Sequence, residues 1–137
     1  MYDLSVCAIF KDEASYLKEW IEYHKLVGVQ HFYLYENENE SDDFFAVLNP
    51  YITSGEVTLS HWKDQDKDLW EGRKNAWVYT TQVTAYEHAI WISKGKTKWL
   101  AFIDVDEFIV PVKEDSIVDV LAKYEDKFPG VEVLWDI

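Results

Sequence analysis

Residues 99–110 read Trp99-Leu100-Ala101-Phe102-Ile103-Asp104-Val105-Asp106-Glu107-Phe108-Ile109-Val110. Five apolar residues run up to Asp104 and stop, and two further acids follow at Asp106 and Glu107. An apolar run this short, rich in large side chains, reads as a buried strand. Carboxylates at the C-terminal end of such a strand lie where open α/β sheets bind ligands. Two aspartates one residue apart can face the same divalent ion, directly or through water. Oxygen ligands of this kind suit Mg²⁺ or Mn²⁺, and the natural cargo of such an ion is a diphosphate.

Spacing alone does not single out this pair. Asp-x-Asp also occurs at Asp64/Asp66 and Asp66/Asp68, inside the polar run Lys63-Asp64-Gln65-Asp66-Lys67-Asp68. No strand precedes those pairs, so they are expected to be solvated surface. The net charge of −13 excludes a nucleic-acid surface, which needs Lys and Arg to displace counterions. An anionic protein that binds an anionic nucleotide needs a cation between them, in agreement with a metal at Asp104 and Asp106. Seven Trp and nine Tyr are many for 137 residues, and suit a cleft that stacks on flat rings as well as they suit a core. The single cysteine, Cys7, is expected to be a buried structural thiol. No transmembrane stretch and no signal peptide are read, so a cytoplasmic setting is expected.

The length suits one domain, residues 1–137. Strands are expected over 4–10, 32–35, 57–60 and 99–103, with a further strand starting at 108–110 and a last one over 131–135. Between them a helix starts after Asp12, which can cap it, and carries Leu17, Ile21 and His24 at helical spacing up to Gly28. A short helix is expected over 44–51. A long one is expected over 73–94, with Trp77, Thr81, Thr84, His88 and Trp91 along one side. Another is expected over 117–124, capped by Ser116. Strands alternating with helices mean an α/β fold with a mainly parallel sheet flanked by helices. The chain stops directly after the last expected strand, so a C-terminal portion is expected to be missing.

An ordered set of segments resembles a known family. These are Phe10-Lys11-Asp12-Glu13, then Leu17-x-Glu19-Trp20-Ile21-x-Tyr23-His24, then Gly28-Val29-x-His31-Phe32-Tyr33-Leu34-Tyr35, then Gln82 with Tyr86, then Asp104-Val105-Asp106-Glu107-Phe108. Together they resemble the nucleotide-sugar-binding half of GT-A (Rossmann-like) glycosyltransferases, most closely glycosyltransferase family 92 and its family-2-like bacterial relatives. The family usually carries Lys-Asn-Glu where this chain has Lys11-Asp12-Glu13. Its members also continue well past residue 137.

The resemblance implies transfer of a sugar from a nucleotide-sugar, most often a UDP-sugar, to a hydroxyl of a glycan or lipid-linked acceptor. It further suggests surface polysaccharide or lipopolysaccharide synthesis. It implies that Asp104 contacts ribose or ion and that Asp106 is the firmest ligand of a Mn²⁺ or Mg²⁺ ion, with Glu107 behind them. Phe10, Lys11, Asp12 and Glu13 would line the base pocket, although Asp12 reads equally well as a helix cap. Glu36 and Asn37 would hydrogen-bond base or ribose. Gln82 and Tyr86 would reach the nucleotide from one face of the long helix, and Arg73 and Lys74 could neutralise phosphate. Inversion at the sugar calls for a general base. Asp136 is too close to the chain end to be assigned that role, and the base stays unassigned.

Two rival readings remain at this stage. A strand followed by Asp-x-Asp also resembles the first motif of haloacid-dehalogenase-like phosphatases. That motif usually lies near the N-terminus and continues with a small pair, not with Glu107-Phe108. The other rival is a nucleotide-binding module without turnover, which binding of UDP without sugar transfer would select.

Overall fold

The computed structural model describes residues 1–134. Strand β1 (Tyr2–Phe10) is followed by α1 (Ala14–Leu26), β2 (His31–Glu36), α2 (Asp43–Thr53) and β3 (Val57–His61). A single 3₁₀ turn at Lys67–Leu69 precedes the long helix. That helix includes a π turn near its start (Val78–Gln82) and continues as α3 (Val83–Ser93); β4 (Thr97–Phe102) and α4 (Ile117–Ala122) follow. The strands form one sheet in the order β3-β2-β1-β4, and every pairing is parallel. The expected α/β architecture is therefore present. No described helix is long and apolar enough to cross a membrane.

Alternation along the strands builds two cores. Leu4, Val6, Ala8 and Phe10 of β1 join Phe32 and Leu34 of β2 on the face covered by α1, α2 and α4. Cys7 and Ile9 of β1 join Tyr33 and Tyr35 on the opposite face, packed against Ala85 and Ala89 of α3. β1 is central and buried on both sides, which is why residues 4–10 are apolar on both faces, Ser5 apart, rather than alternating. β4 borders β1 alone among the described strands, so it forms an edge.

One helix face determines where the chain goes after β4. Trp20, Tyr23 and His24 share a side of α1, three and four residues apart. Trp20 Nε1–H donates to Glu107 O at 2.8 Å, Tyr23 Oη–H donates to Ile109 O at 3.0 Å, and Ile109 N–H donates to His24 Nε2 at 3.3 Å. That last bond requires an unprotonated Nε2, so Nδ1 carries the hydrogen and donates to Trp20 O at 2.8 Å. His24 is fully buried. Burial holds its pKa below the usual 6.5, with the Trp20 carbonyl partly opposing. At the end of α1, Gly28 has φ +113°, and a Cβ there would meet Val118 Cγ2 at 3.2 Å. The expected closing glycine thus also admits α4, and Ile117 N–H donates to Val27 O at 2.7 Å.

Several boundaries depart from expectation. Helical structure starts at 76, not 73, because Asn75 takes a left-handed φ of 62° just before it. Residues 108–110 form no strand, since their backbone is claimed by α1 side chains instead of a neighbouring strand. Asp12 does not cap α1: its own φ is 54°, and residue 13 holds the cap position without a side-chain bond. The strand expected over 131–135 is absent over 131–134, which is exposed irregular chain; position 135, like Asp136, lies outside the described residues. Ser116 caps α4 as expected, its Oγ accepting from Asp119 N–H at 3.1 Å.

Gly28→Ala is expected to cost about 1–3 kcal/mol, the scale of a strained positive φ in an L-residue. A urea denaturation midpoint equal to wild type would refute this. The His24 geometry also sets a pH dependence. An unfolded His24 takes up a proton as pH falls through about 6.5, whereas the folded one resists until lower pH, so this contribution to stability is complete above that value and shrinks below it. The melting temperature is expected to fall between about pH 7.5 and 5.5. It should fall less in His24→Gln, and identical falls in both proteins would remove His24 as a cause.

Candidate functional site

β1 and β4 are neighbours in register, with Cys7 opposite Phe102, so both chains leave the sheet side by side at its C-terminal edge. The end of β1 contributes Phe10, the chain after it Lys11 and Glu13, and the chain after β4 Asp104 and Asp106. The start of the long helix contributes Trp77, Val78 and Gln82. With Ile9, these residues enclose a cleft of about 400 Å³. It is the crevice that a parallel sheet opens beyond its strand ends.

The acidic turn has a simple local cause. Val105 is fully buried in the α1-side core, so its two neighbours, Asp104 and Asp106, are both turned outward. Glu107 closes the turn: its Oε1 accepts from Asp104 N–H at 2.8 Å, while its own N–H donates to Asp104 O at 3.0 Å. Glu107 therefore supports the turn and is not part of the cleft wall. Trp20 then grips the Glu107 carbonyl and ties the turn to α1.

The cleft is electrostatically unbalanced. Its lining holds three carboxylates and one cation, Lys11. Burial pushes the Asp104 carboxyl above its usual range, and the charges of Glu107 and Asp106 add to that. Burial likewise pushes Glu13 up; a backbone N–H at Lys11 partly offsets this, and Asp106 and Asp104 reinforce it. Carboxylates held this close to one another favour a proton or a metal ion. No three His, Cys, Asp or Glu among the described residues form a ready-made metal cage. An ion here would have two protein ligands at most from the Asp pair and would need phosphate or water for the rest, a sharing typical of Mg²⁺ sites.

Not every expected residue reaches the cleft. Phe10, Lys11, Glu13, Gln82, Asp104 and Asp106 do. Asp12 instead staples two loops, its N–H donating to Asn39 Oδ1 at 2.7 Å and its Oδ1 accepting from Glu40 N–H at 2.9 Å. Glu36 accepts from the Asn39 side chain at 2.8 Å and pairs with His61 at 3.2 Å, so it anchors the same loop. Tyr86 packs on Phe102, ring centroids 4.6 Å apart. Burial, followed by the Asp104 charge, pushes its phenol well up. Arg73 and Lys74 are exposed and outside the cleft lining.

Asn37 and Asp64 depart furthest from expectation. Asn37 is only 1% exposed, and its amide is engaged at both ends. Nδ2 donates to Trp62 O at 2.9 Å and to Asp64 Oδ1 at 3.0 Å, and Oδ1 accepts from Trp77 Nε1–H at 3.1 Å. Both of its N–H groups are spent inside the protein, and it is absent from the cleft lining. Asp64, expected on the solvated surface with Asp66 and Asp68, has a side chain only 9% exposed. It accepts from Asn37 and, at 3.1 Å, from Trp77 Nε1–H, and it pairs with Lys67 at 3.3 Å. Burial would raise its pKa, but the hydrogen bonds from Asn37 and Lys67 outweigh that and hold it below the usual range. Asp66 and Asp68 are exposed as expected.

Trp77 and Val78 escaped the sequence reading as cleft residues because of the π turn. In a regular α-helix, positions 77 and 82 would face about 140° apart at 100° per residue. Bonding of the i→i+5 kind brings residues five apart onto one side, and such turns are frequent at functional sites. Threonine hydroxyls support the widened turn: Thr84 Oγ1–H donates to Thr80 O at 2.6 Å, and Thr80 Oγ1–H donates to Ala76 O at 2.8 Å. Gln65 N–H donates to the buried Thr81 Oγ1 at 2.8 Å, which clips the 62–65 segment onto this helix.

Sequence comparison adds to this geometry. Galactan beta-1,4-galactosyltransferase GALS3 of Arabidopsis thaliana is 35% identical over 79% of this chain, which covers 21% of that protein. Beta-1,4-galactosyltransferase galt-1 of Caenorhabditis elegans is 31% identical over 81% of the chain and 26% of its own length. A glycosyltransferase family 92 protein of Oryza sativa subsp. japonica is 29% identical over 92% of the chain and 19% of its own length. The chain thus spans about a fifth to a quarter of these relatives. The model of glycosyltransferase family 92 matches residues 2–134, nearly the whole sequence, and the chain belongs to that family.

Proposed function

We propose that this chain forms the donor-binding portion of a metal-dependent glycosyltransferase that moves a sugar from a nucleotide-sugar to a glycan hydroxyl. The observation that carries this reading is the charge of the cleft. Asp104, Asp106 and Glu13 converge on a space at the C-terminal edge of a parallel sheet, with Lys11 as the one cation in its lining. A diphosphate enters such a space only with a cation interposed. Asp104 and Asp106 would hold a Mn²⁺ or Mg²⁺ ion, which when bound supplies Lewis-acid stabilisation of the departing nucleoside diphosphate. Glu107 keeps the two carboxylates outward by closing their turn, and Lys11 offers a positive charge to phosphate. Gln82 provides an amide from the helix side.

The names of GALS3 and galt-1 favour galactose as the sugar and a glycan as the acceptor, and UDP is the nucleotide that the family resemblance suggests. A role in building surface polysaccharide would follow from such an acceptor. The general base and the acceptor site are not assigned to residues of this chain. A phosphatase reading would make Asp104 a nucleophile, and membership of family 92 argues against it.

Calorimetric titration of UDP with and without Mn²⁺ tests the donor site directly. Binding is expected only with metal, and Asp106→Ala should weaken it by about tenfold or more, the scale set by losing a metal-supporting group. Equal binding without metal, or an unchanged affinity in Asp106→Ala, would overturn the proposal. Acidity should also matter, because ligand carboxylates must be deprotonated and Asp104 and Glu13 are both displaced upward. Metal-dependent UDP affinity is expected to fall as the pH is lowered, starting above the range in which an ordinary exposed carboxylate titrates. Asp104→Asn should give a melting temperature in metal-free buffer at or above that of wild type, while losing metal-dependent binding. A lowered melting temperature would show that Asp104 is structural instead.

A further inference from the structure

The donor-site reading leaves open which surface receives the flat nucleobase. We infer that the indole of Trp77 is the base platform of this cleft, and that Asn37 and Asp64 are the positioning residues that hold it there. The inference rests on the donor-site reading for the identity of the ligand, and on separate residues for the geometry.

Trp77 lines the cleft beside Phe10, yet its single polar atom is directed elsewhere. Nε1–H is shared between Asn37 Oδ1 and Asp64 Oδ1, both at 3.1 Å. What the side chain presents to the cleft is therefore apolar ring. The indole is half-buried and packs against the cluster built on Ile9 and Tyr35, which fixes it from behind. Its two acceptors are themselves immobilised. Asn37 is buried and bound to the Trp62 carbonyl, and Asp64 is pinned by Asn37 and Lys67. An aromatic face whose orientation is set before the ligand arrives loses little freedom on stacking, and stacking does not depend on the hydrogen-bonding edge of the base. The same lining also carries Asp104, Asp106 and Lys11, which suit the charged part of the same ligand. The cleft lining thus combines an aromatic ring for a planar base with ionic groups for phosphate.

This also gives the largely shielded Asp64 a use. Its side chain, only 9% exposed, is held by two side-chain N–H donors and a lysine partner, an unusually fixed setting for an acid on a loop. One of its bonds goes to Trp77, the tryptophan that lines the cleft among the described residues.

Two probes separate the ring from the ionic groups: UDP with Mn²⁺, and pyrophosphate with Mn²⁺, each titrated into wild type, Trp77→Ala, Trp77→Phe and Asp64→Ala. Trp77→Ala is expected to weaken UDP by about tenfold or more, the scale of one base–aromatic stack, and to leave pyrophosphate within about twofold. Trp77→Phe, which keeps a ring but loses the N–H, should retain most of the UDP affinity. Asp64→Ala should weaken UDP by less than Trp77→Ala, again sparing pyrophosphate. The inference is overturned if Trp77→Ala binds UDP like wild type, if both probes weaken together, or if Trp77→Phe is as impaired as Trp77→Ala. Failure of wild type to bind metal-dependent pyrophosphate would instead refute the donor site itself, and the platform with it.

Discussion

Three side chains of α1 hold the backbone that follows the acidic turn. Trp20, Tyr23 and His24 bind the main chain at 107 and 109 across more than eighty residues of sequence. The segment after an edge strand ordinarily lacks partners for its N–H and C=O groups, and buried backbone groups do not stay unpaired. Here a helix that packs early in the chain supplies those partners. Val105 then anchors the turn in the same core, and the two aspartates have only one way to face. The position of the acids is thus a property of α1 as much as of β4.

The same logic operates on the other side of the cleft, with a different currency. There the long helix is locally widened, and the loop after β3 is tied to it through Thr81, Asp64 and Asn37. One wall is set by hydrogen bonds from side chains to main chain, the other by a side-chain network around one indole. Both depend on β1, whose alternate residues feed the two cores and whose C-terminus enters the cleft as Phe10 and Lys11. A cleft made from three separate segments closes only because the central strand fixes all of them to one frame.

Much of the fold was legible because its signals are local. An apolar run ending at Asp104, another ending at Phe10, and Gly28 at the end of a periodic stretch each reflect neighbours in sequence. Asp104 and Asp106 were legible for the same reason, since a strand end and its acids are adjacent. Asp64 was not. It has the composition of its exposed neighbours, and only contacts with Asn37 and Trp77, 27 and 13 residues away, take it out of water. Tyr86 was placed on the nucleotide by assuming a shared helix face with Gln82, but it packs on Phe102 toward β4. Trp77 was hidden by the assumption of a regular helix, because a π turn leaves no periodic trace in five residues.

Cys7 has a consequence outside the chemistry of the cleft. It is the single cysteine of the chain, it lies mid-way along the central strand with no exposed surface, and burial pushes its thiol far from the thiolate form. Only the thiolate reacts with alkylating reagents. Modification therefore has to wait until β1 parts from its neighbours, an event close to complete unfolding rather than loop fraying. The native sequence thus carries a one-site chemical clock for opening of its innermost strand. Its rate can be followed by mass alone, in the presence or absence of any nucleotide, without introducing a probe.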